Sequence, residues 1–542
     1  MKKEKNNKGN YVITFPLITE PWQEDLLNKF FKHCCDIQNK LIKITLPVFN
    51  KHKDEIFKNE ERILELCAKK KKSNLNKEET NELSALYEEK KNTLSAIKTD
   101  EIKGLVSYPK TIELFSEFGL GATCTKLLKD NIGGTDKKHE NLKYNSTFPQ
   151  IASPIAENIG KRVYCAYEKY IWGNGKIVHY KKNCNFNTVS FCVKKGCTFA
   201  TVDVIKHNLL FKSSIGIHNG KTMTIPFKVK FDKCDEQQTL SEGQKYEMNA
   251  LNNQEIKIIG IKRTFVRGKF KFELQLTFEG KPYSKNRTLG NGDVGADPGV
   301  SSLTLYGKTV RQFRAPDNAK KIEQKINELQ RYIKHTDKLL NPNKFNENGT
   351  LKKGDKAKWK HSNNNLKARK RKKELERQLK EKTKLSQIEF ANSVLSEGNV
   401  LKIEDNDISN WNKNLKGIRK DKNGKILSNK KYGKSIKRTA PAQGLTILKR
   451  KYKSLGGTVI DINEKARATG TDHTNGIYTY RPVSQRKVTL SNGNTHHRDA
   501  HAAFNLKHYN NNTKHYDFKK MSEDYQHFCQ EESNAFKRNE LK

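Results

Sequence analysis

The sequence predicts a multidomain α+β protein. A small antiparallel β-barrel is interrupted after its first strand by a long helical insertion, and an α/β domain with a helical insertion of its own follows. Three observations carry this reading. The chain has 542 residues, too many for one ordinary core. One alternating strand near the start runs at once into helical periodicity, so its partners must come later. From Asp293 onward, apolar strands that end in acids are separated by charged helical stretches.

Taken in order, Tyr11, Ile13, Phe15 and Leu17 alternate with Val12 and Thr14, the pattern of a half-buried strand. Thr19-Glu20-Pro21 starts a helix, with proline suited to the first turn. Leu26, Leu27, Phe30, Phe31, Cys34 and Ile37 trace its apolar face to about residue 48. Residues 49–133 read as charged helices, and residues 151–170 as a helix with Ile155, Ile159, Val163 and Tyr167 on one face. Next comes Lys176-Ile177-Val178-His179-Tyr180-Lys181-Lys182, an extended basic segment with an aromatic. Cations neutralise phosphates and aromatic faces stack on bases, so Lys176, His179, Tyr180, Lys181 and Lys182 are candidate nucleic-acid contacts. A plain edge strand that uses lysine against aggregation explains them equally. Residues 188–283 read as β throughout, with strands at 222–231, 256–264 and 269–278 and a turn at Arg267-Gly268; with residues 11–17 they close the barrel.

In the second half, residues 293–313 read as three successive strands, the first ending at Asp297-Pro298-Gly299. Alone, Asp297 reads as well as an acid that opens a turn. Ile322, Ile326, Leu329 and Ile333 set a helix face. Residues 351–385 carry 15 Lys/Arg against 4 Asp/Glu, with only Leu375 and Leu379 as a clear apolar stripe. That imbalance is too large for mutual salt bridges. Lys367, Arg369, Lys370, Arg371, Lys372 and Lys373 are therefore expected to face a nucleic-acid duplex. An apolar strand delivers Glu404, followed by Asp405 and Asp407. Residues 412–437 form a basic loop expected to be mobile without its partner. Leu445, Leu448 and Tyr452 mark a helix, residues 458–462 a buried strand, and residues 509–542 a polar accessory tail.

The 105 Lys and Arg outnumber 60 Asp and Glu, for a formal charge of +45. So large a charge implies a polyanionic partner. No apolar run approaches the roughly 20 residues of a membrane span, and the first ten residues lead into no apolar signal core. A cytoplasmic protein with no membrane partner is expected. The ten cysteines form no Cys-x-x-Cys pair and are expected to be reduced. Cys184, Cys192 and Cys197 near His179 fit no common zinc spacing, and no Cys or further His completes four ligands with His473, His496, His497 and His501.

Asp499 begins an Ala-rich segment, His497 to Leu506, that reads as a helix. An acid on a first strand, an acid on a later strand and an acid on a late helix occur in the order of an RNase H-like nuclease. Three carboxylates of that kind can hold two Mg²⁺ about 4 Å apart on a phosphodiester. The three stretches resemble the split RuvC nuclease of TnpB proteins and compact type V CRISPR effectors. The pattern Arg-Asp-x-x-Ala-Ala-x-Asn, met by Arg498, Asp499, Ala502, Ala503 and Asn505, carries most of the likeness.

The resemblance implies a wedge barrel from 1–18 and 188–290, a helical recognition insertion at 19–187, and a RuvC domain at 291–508. That last domain would contain a helical insertion at 316–396 and a degenerate zinc-ribbon hairpin at 464–496. It implies an RNA-guided DNA endonuclease that uses a guide RNA, double-stranded target DNA and a short adjacent motif. Asp297, Glu404 and Asp499 would be both catalytic and Mg²⁺-binding. Arg498 and Asn505 would support them at the phosphate or the carboxylates, though a helix hydrogen bond suits Asn505 equally. The alternatives are a nuclease-inactive guided repressor and an unguided, structure-specific transposon nuclease. Where the family carries zinc knuckles, this chain has Asp472, Asn475, Thr489 and Asn492 before turn glycines Gly476 and Gly493. Asn and Thr are poor zinc ligands. The expectation is a metal-free hairpin held by Asx and Thr hydrogen bonds, with Ile477, Tyr478, Tyr480, Val488 and Leu490 forming its apolar face.

Overall fold

The computed structural model describes residues 9–72, 75–102, 112–132, 151–173, 175, 177–193, 200–211, 217–218, 221–229, 241–283, 287–347, 350–352, 358–405, 408–411, 432–463, 466–482 and 485–541. The chain is a mixed α+β protein in two compact units, Met1–Lys285 and Asn286–Lys542. No described helix is long and apolar enough to cross a membrane.

In the first unit, strand β1 (Asn10–Pro16) alternates exposed and buried residues as its sequence requires. Helix α1 (Pro21–Lys51) follows, with proline in its first turn and a reciprocal Glu20–Gln23 capping box. Helices α2 (Glu60–Lys72), α3 (Lys77–Ala96), α4 (Glu117–Ile132) and α5 (Ser153–Ile171) complete the insertion. Strands β2 (Thr188–Cys192), β3 (Ala200–Asp203), β4 (Asn208–Phe211) and β5 (Thr224–Pro226) come next. Helix α6 (Glu242–Asn253) then precedes the hairpin β6 (Ile258–Val266) and β7 (Lys269–Glu279). The strands form two antiparallel sheets, β1-β7-β6-β2 and β3-β4-β5. They meet at the end of β1, where Leu17 bridges Phe227 and its amide donates to the Phe272 carbonyl at 3.0 Å. Sheets and helices share one core, with Phe15, Phe31, Phe49, Tyr167, Phe227 and Phe272 all buried in it.

Two readings of this unit are corrected. The expected strand at 222–231 ends at Pro226, which has no amide hydrogen to donate to a ladder. Met223, Ile225, Phe227 and Val229 are buried all the same, and Phe231 lies outside the described residues. The stretch taken as wholly β also contains α6. Its start is legible afterwards as a Ser241–Gln244 capping box.

The second unit is built on one five-stranded sheet: β8 (Asp293–Pro298), β9 (Ser302–Tyr306), β10 (Val310–Arg314), β11 (Val400–Glu404) and β12 (Thr458–Ile462). The spatial order is β10-β9-β8-β11-β12. The first three strands are antiparallel, while β11 and β12 add in parallel. Helices α7 (Asp317–Leu340) and α8 (Asn363–Ser393) lie between β10 and β11, and α9 (Pro441–Ser454) precedes β12. The hairpin β13 (Lys487–Thr489) and β14 (Thr495–His497) runs directly into α10 (Arg498–Lys507), and α11 (Phe518–Lys537) follows. One face of the sheet presents Val294, Ala296, Leu303, Leu305, Leu401 and Ile403 to a core with Leu448 and Tyr452 of α9. The other face is covered by α10 and α11, where Tyr306 and Val310 pack with Phe504, Met521 and Phe528.

Here too the sequence reading needs correction. Residues 458–462 are the edge strand, and only Ile462 among them is fully buried. Residues 509–542 are no accessory tail, because α11 buries Met521, Phe528 and Ala535 in the core beneath the sheet. The basic loop is outside the described residues from 412 to 431.

Candidate active site

The site begins with side-chain alternation. In β8, Val294 and Ala296 point into the apolar core, so Asp293, Gly295 and Asp297 point to the α10 face. In β11, Leu401 and Ile403 do the same, leaving Lys402 and Glu404 on that face. The parallel register pairs Asp293 with Val400 and Ala296 with Ile403. One further step sets Asp297 beside Glu404 on strands about 4.8 Å apart.

Helix α10 brings the third acid. It can lie flat on the strand because residue 295 is glycine: a Cβ there would stand 1.9 Å from the Ala503 carbonyl oxygen and 2.4 Å from the Lys507 nitrogen. Lys402 clamps the far end, its Nζ donating to the Lys507 (2.8 Å) and Tyr509 (2.9 Å) carbonyls and pairing with Asp293 at 2.7 Å. At the near end, the His497 ring caps the helix. Glu532 of α11 accepts the His497 amide at 2.6 Å and faces His496 Nδ1 at 2.6 Å. Asp499 thus sits in the first turn, 3% exposed, where the helix dipole favours an anion.

The three acids feel one another. Burial pushes the Asp297 carboxyl well above the usual carboxylate range, and repulsion from Asp499 and then Glu404 adds to it. Arg498 opposes the shift. Arg498 donates to Asp499 Oδ1 through Nη2 (2.7 Å) and Nε (3.0 Å), while Ser302 Oγ (3.4 Å) and Arg486 Nη1 (3.5 Å) approach Oδ2. Among the described residues no group of three His, Cys, Asp or Glu is drawn close enough to grip a metal ion as it stands. The donor chemistry nevertheless fits a hard cation: only oxygen ligands, two of them buried, with a mutual repulsion that a divalent ion relieves.

The neighbouring candidates separate. Asp405 is exposed, its amide bonded to the Ile462 carbonyl at 2.7 Å; Asp407 lies outside the described residues. Asn505 is fully buried and donates to the Ala468 (2.8 Å) and Thr471 (2.9 Å) carbonyls. Through these bonds it brackets the chain between β12 and the hairpin. The histidines are also spent on packing: His473 Nδ1 lies 3.0 Å from His501 Nε2, and His496 bonds Tyr525 and Glu532.

In the hairpin the Asx bonds are formed. Asp472 accepts from Thr474 N (2.9 Å) and, across the hairpin, from Ser491 N (2.7 Å). Asn475 accepts from Ile477 N and Asn492 from Asn494 N, and Gly476 and Gly493 adopt φ of 73° and 81°. Thr489 Oγ1 lies 3.1 Å from Thr495 Oγ1 instead of meeting an amide. The expected apolar face holds only in part: Val488 and Leu490 are buried, whereas Ile477, Tyr478 and Tyr480 are exposed.

No protein-family model matches the chain, and no curated protein matches it. Two solved structures are similar in outline. A cryo-EM structure of a Cas12f1–sgRNA–target DNA complex aligns over 92% of this chain and 99% of that one, at 13% identity and a TM-score of 0.43. A CRISPR-Cas12f ternary complex aligns over 92% and 98%, at 13% identity and a TM-score of 0.26.

The expected nucleic-acid contacts divide as well. Residues 177–182 are extended but join no sheet, and the Lys181 backbone is pinned to α1 by Asn39 in both directions at 2.8 Å. Buried Arg263 fastens the next residue but one, Asn183, at 2.6 and 2.7 Å. His179, Tyr180, Lys181 and Lys182 are therefore exposed side chains on a fixed backbone; Lys176 lies outside the described residues. On α8, Lys367, Lys370, Arg371 and Lys373 are exposed and Lys372 half-buried. Arg369 is committed to its own fold: it pairs with Asp337 of α7 at 2.5 Å and bonds Asn365 at 2.7 Å.

Proposed function

We propose that the chain is an RNA-guided DNA endonuclease with one RuvC-type, RNase H-like active site. The observation that carries the nuclease reading is the register: the step after Ala296–Ile403 sets Asp297 beside Glu404, under the helix that carries Asp499. Three antiparallel strands continued by two parallel ones, with the acids on the face covered by the late helix, support the RNase H-like assignment. The guide rests on less: a formal charge of +45, exposed basic and aromatic side chains on a pinned backbone at 179–182, and the cationic face of α8. Guided systems grip backbone and A-form shape and leave sequence to base pairing. On the same reading, the two sheets of the first unit form the wedge barrel and its helices the recognition insertion.

Asp297, Glu404 and Asp499 would hold two Mg²⁺, which activate the attacking water and neutralise the leaving 3′ oxygen when bound. The chain's own residues prepare that site. Gly295 lets α10 approach, Lys402 and Glu532 hold its two ends, and Arg498 keeps Asp499 oriented. Engagement of Asp499 by Arg498 also suits the runner-up, a guided binder without cutting activity, but all three acids are present.

The test is purification from the native host, sequencing of bound RNA, and incubation with plasmid matching that RNA in Mg²⁺. A defined RNA and cut plasmid support the reading. Discrete RNA without cutting favours the binder, and cutting without RNA favours an unguided nuclease.

A further inference from the structure

Beside Asp499 the second unit opens a cleft of about 470 Å³. Four cations line it, Arg314, Lys320, Arg438 and Arg486, against the single carboxylate Asp499. Two of them are partly spent: Arg438 pairs with Glu323 at 3.4 Å, and Arg486 makes a long 3.5 Å contact to Asp499.

Arg314 differs in how it is held. It ends β10 on the same sheet face as Asp297. Its Nε and Nη2 donate to Gln312 Oε1 at 2.8 and 2.6 Å. Gln312 in turn donates through Nε2 to Thr304 Oγ1 at 2.8 Å. Thr304 is fully buried and is the register partner of Asp297. A chain of contacts thus crosses three strands from the acid to the guanidinium. A guanidinium has five N–H donors in a rigid fork, and among the described residues the Nη1 group of Arg314 has no hydrogen-bond partner. Burial and the nearby Arg486 lower its pKa, while Asp499 opposes the shift. Two guanidiniums are therefore held near each other at the mouth of an acidic site, an arrangement that an anion relieves.

We propose that Arg314, oriented by Gln312 on Thr304, is the fixed seat of a backbone phosphate of a single strand lying in this cleft, with Arg486 meeting the same phosphate. A cleft of this volume has room for a short piece of one polynucleotide strand. The ligand we assign is a single-stranded polynucleotide, held by charge and not by base. This rests on the nuclease reading for its substrate, but it can be tested without cutting.

The experiment labels arginines of the full-length chain with phenylglyoxal, in metal-free buffer, with and without a single-stranded eight-nucleotide thymidine oligomer. Peptide mass spectrometry reads each site. Arg314 labelling is expected to fall about fivefold or more with the oligomer, while exposed Arg331 on α7 labels as before. Equal labelling of Arg314 in both conditions overturns the proposal. If the chain cuts DNA but Arg314 is unprotected, this inference fails alone; if Arg314 is protected and the chain does not cut, it stands and the nuclease reading fails. Kinetics add a second arm. Arg314→Gln and Gln312→Met are each expected to raise KM for a single-stranded substrate about tenfold with kcat within about twofold. Gln312→Met keeps the charge and removes only the orientation, so an unchanged KM in that variant overturns the positioning role.

Discussion

Gly295 and Ala503 are in backbone contact across the sheet–helix interface: a Cβ on Gly295 would fall 1.9 Å from the Ala503 carbonyl oxygen. No rotamer relieves a clash with backbone, so α10 must move if residue 295 acquires a side chain. Gly295→Ala is expected to cost at least about 1–3 kcal/mol and to displace Asp499 from Asp297. Thermal unfolding and cleavage assays check it. A variant with wild-type Tm and activity removes the role given to this glycine.

Lys402 is a second point of control over the same helix. It carries a buried charge and satisfies two terminal carbonyls of the α10 region together with Asp293. Lys402→Met leaves those carbonyls and Asp293 without their cation. A loss of roughly 2–4 kcal/mol is expected, measured by denaturant unfolding, and the apparent Mg²⁺ requirement should rise as Asp499 loosens. An unchanged unfolding midpoint contradicts this.

The buried histidines His501 of α10 and His473 beside it predict an acid response. Burial lowers the His473 pKa to about 4, and burial followed by repulsion from His473 and His496 lowers His501 well below its ordinary value. The folded state therefore binds fewer protons than the unfolded state between pH 6.5 and about 4, so stability falls as pH falls through that window. Tm should drop by a few °C across it, and less in His473→Gln. A flat Tm from pH 6.5 to 4.5 would falsify this account of the cluster.

The hairpin at 464–496 makes a separate test. Asp472 ties both turns together: burial pushes its pKa up, but hydrogen bonds from the Thr474 hydroxyl and the Thr474 and Ser491 amides outweigh it and hold the pKa at about 2. Elemental analysis of purified protein is expected to find no stoichiometric zinc, and a zinc chelator should leave cleavage intact. Asp472→Ala should loosen the hairpin, read as faster amide exchange at Thr474 and Ser491. One tightly held zinc per chain points instead to other ligands and contradicts the proposal.

Much of this arrangement was legible in the residues because it depends on periodicity. Alternation in residues 11–17 gave β1, and the apolar runs before Asp297 and Glu404 gave the strands β8 and β11 that carry them. What failed depended on packing at a distance. Residues 509–542 look polar, yet one stripe of Met521, Phe528 and Ala535 suffices to bury α11. The motif left Asn505 open between a phosphate or carboxylate partner and a helix hydrogen bond; the two carbonyls to which it donates lie 34 and 37 residues away, beyond any local pattern. Arg314 drew no attention, since a lone arginine at a strand end has no local signature. Its role depends on Gln312 and Thr304 meeting across strands.

The most direct test of the central claim is the cleavage rate of target plasmid in Mg²⁺ by the RNA-bound protein, compared among wild type, Asp297→Ala, Glu404→Ala and Asp499→Ala. The account predicts that each substitution lowers the rate by about a thousandfold or more, with RNA and target binding retained. A wild-type protein that binds its target and leaves it uncut, or a Glu404→Ala protein that cuts at the wild-type rate, would contradict it.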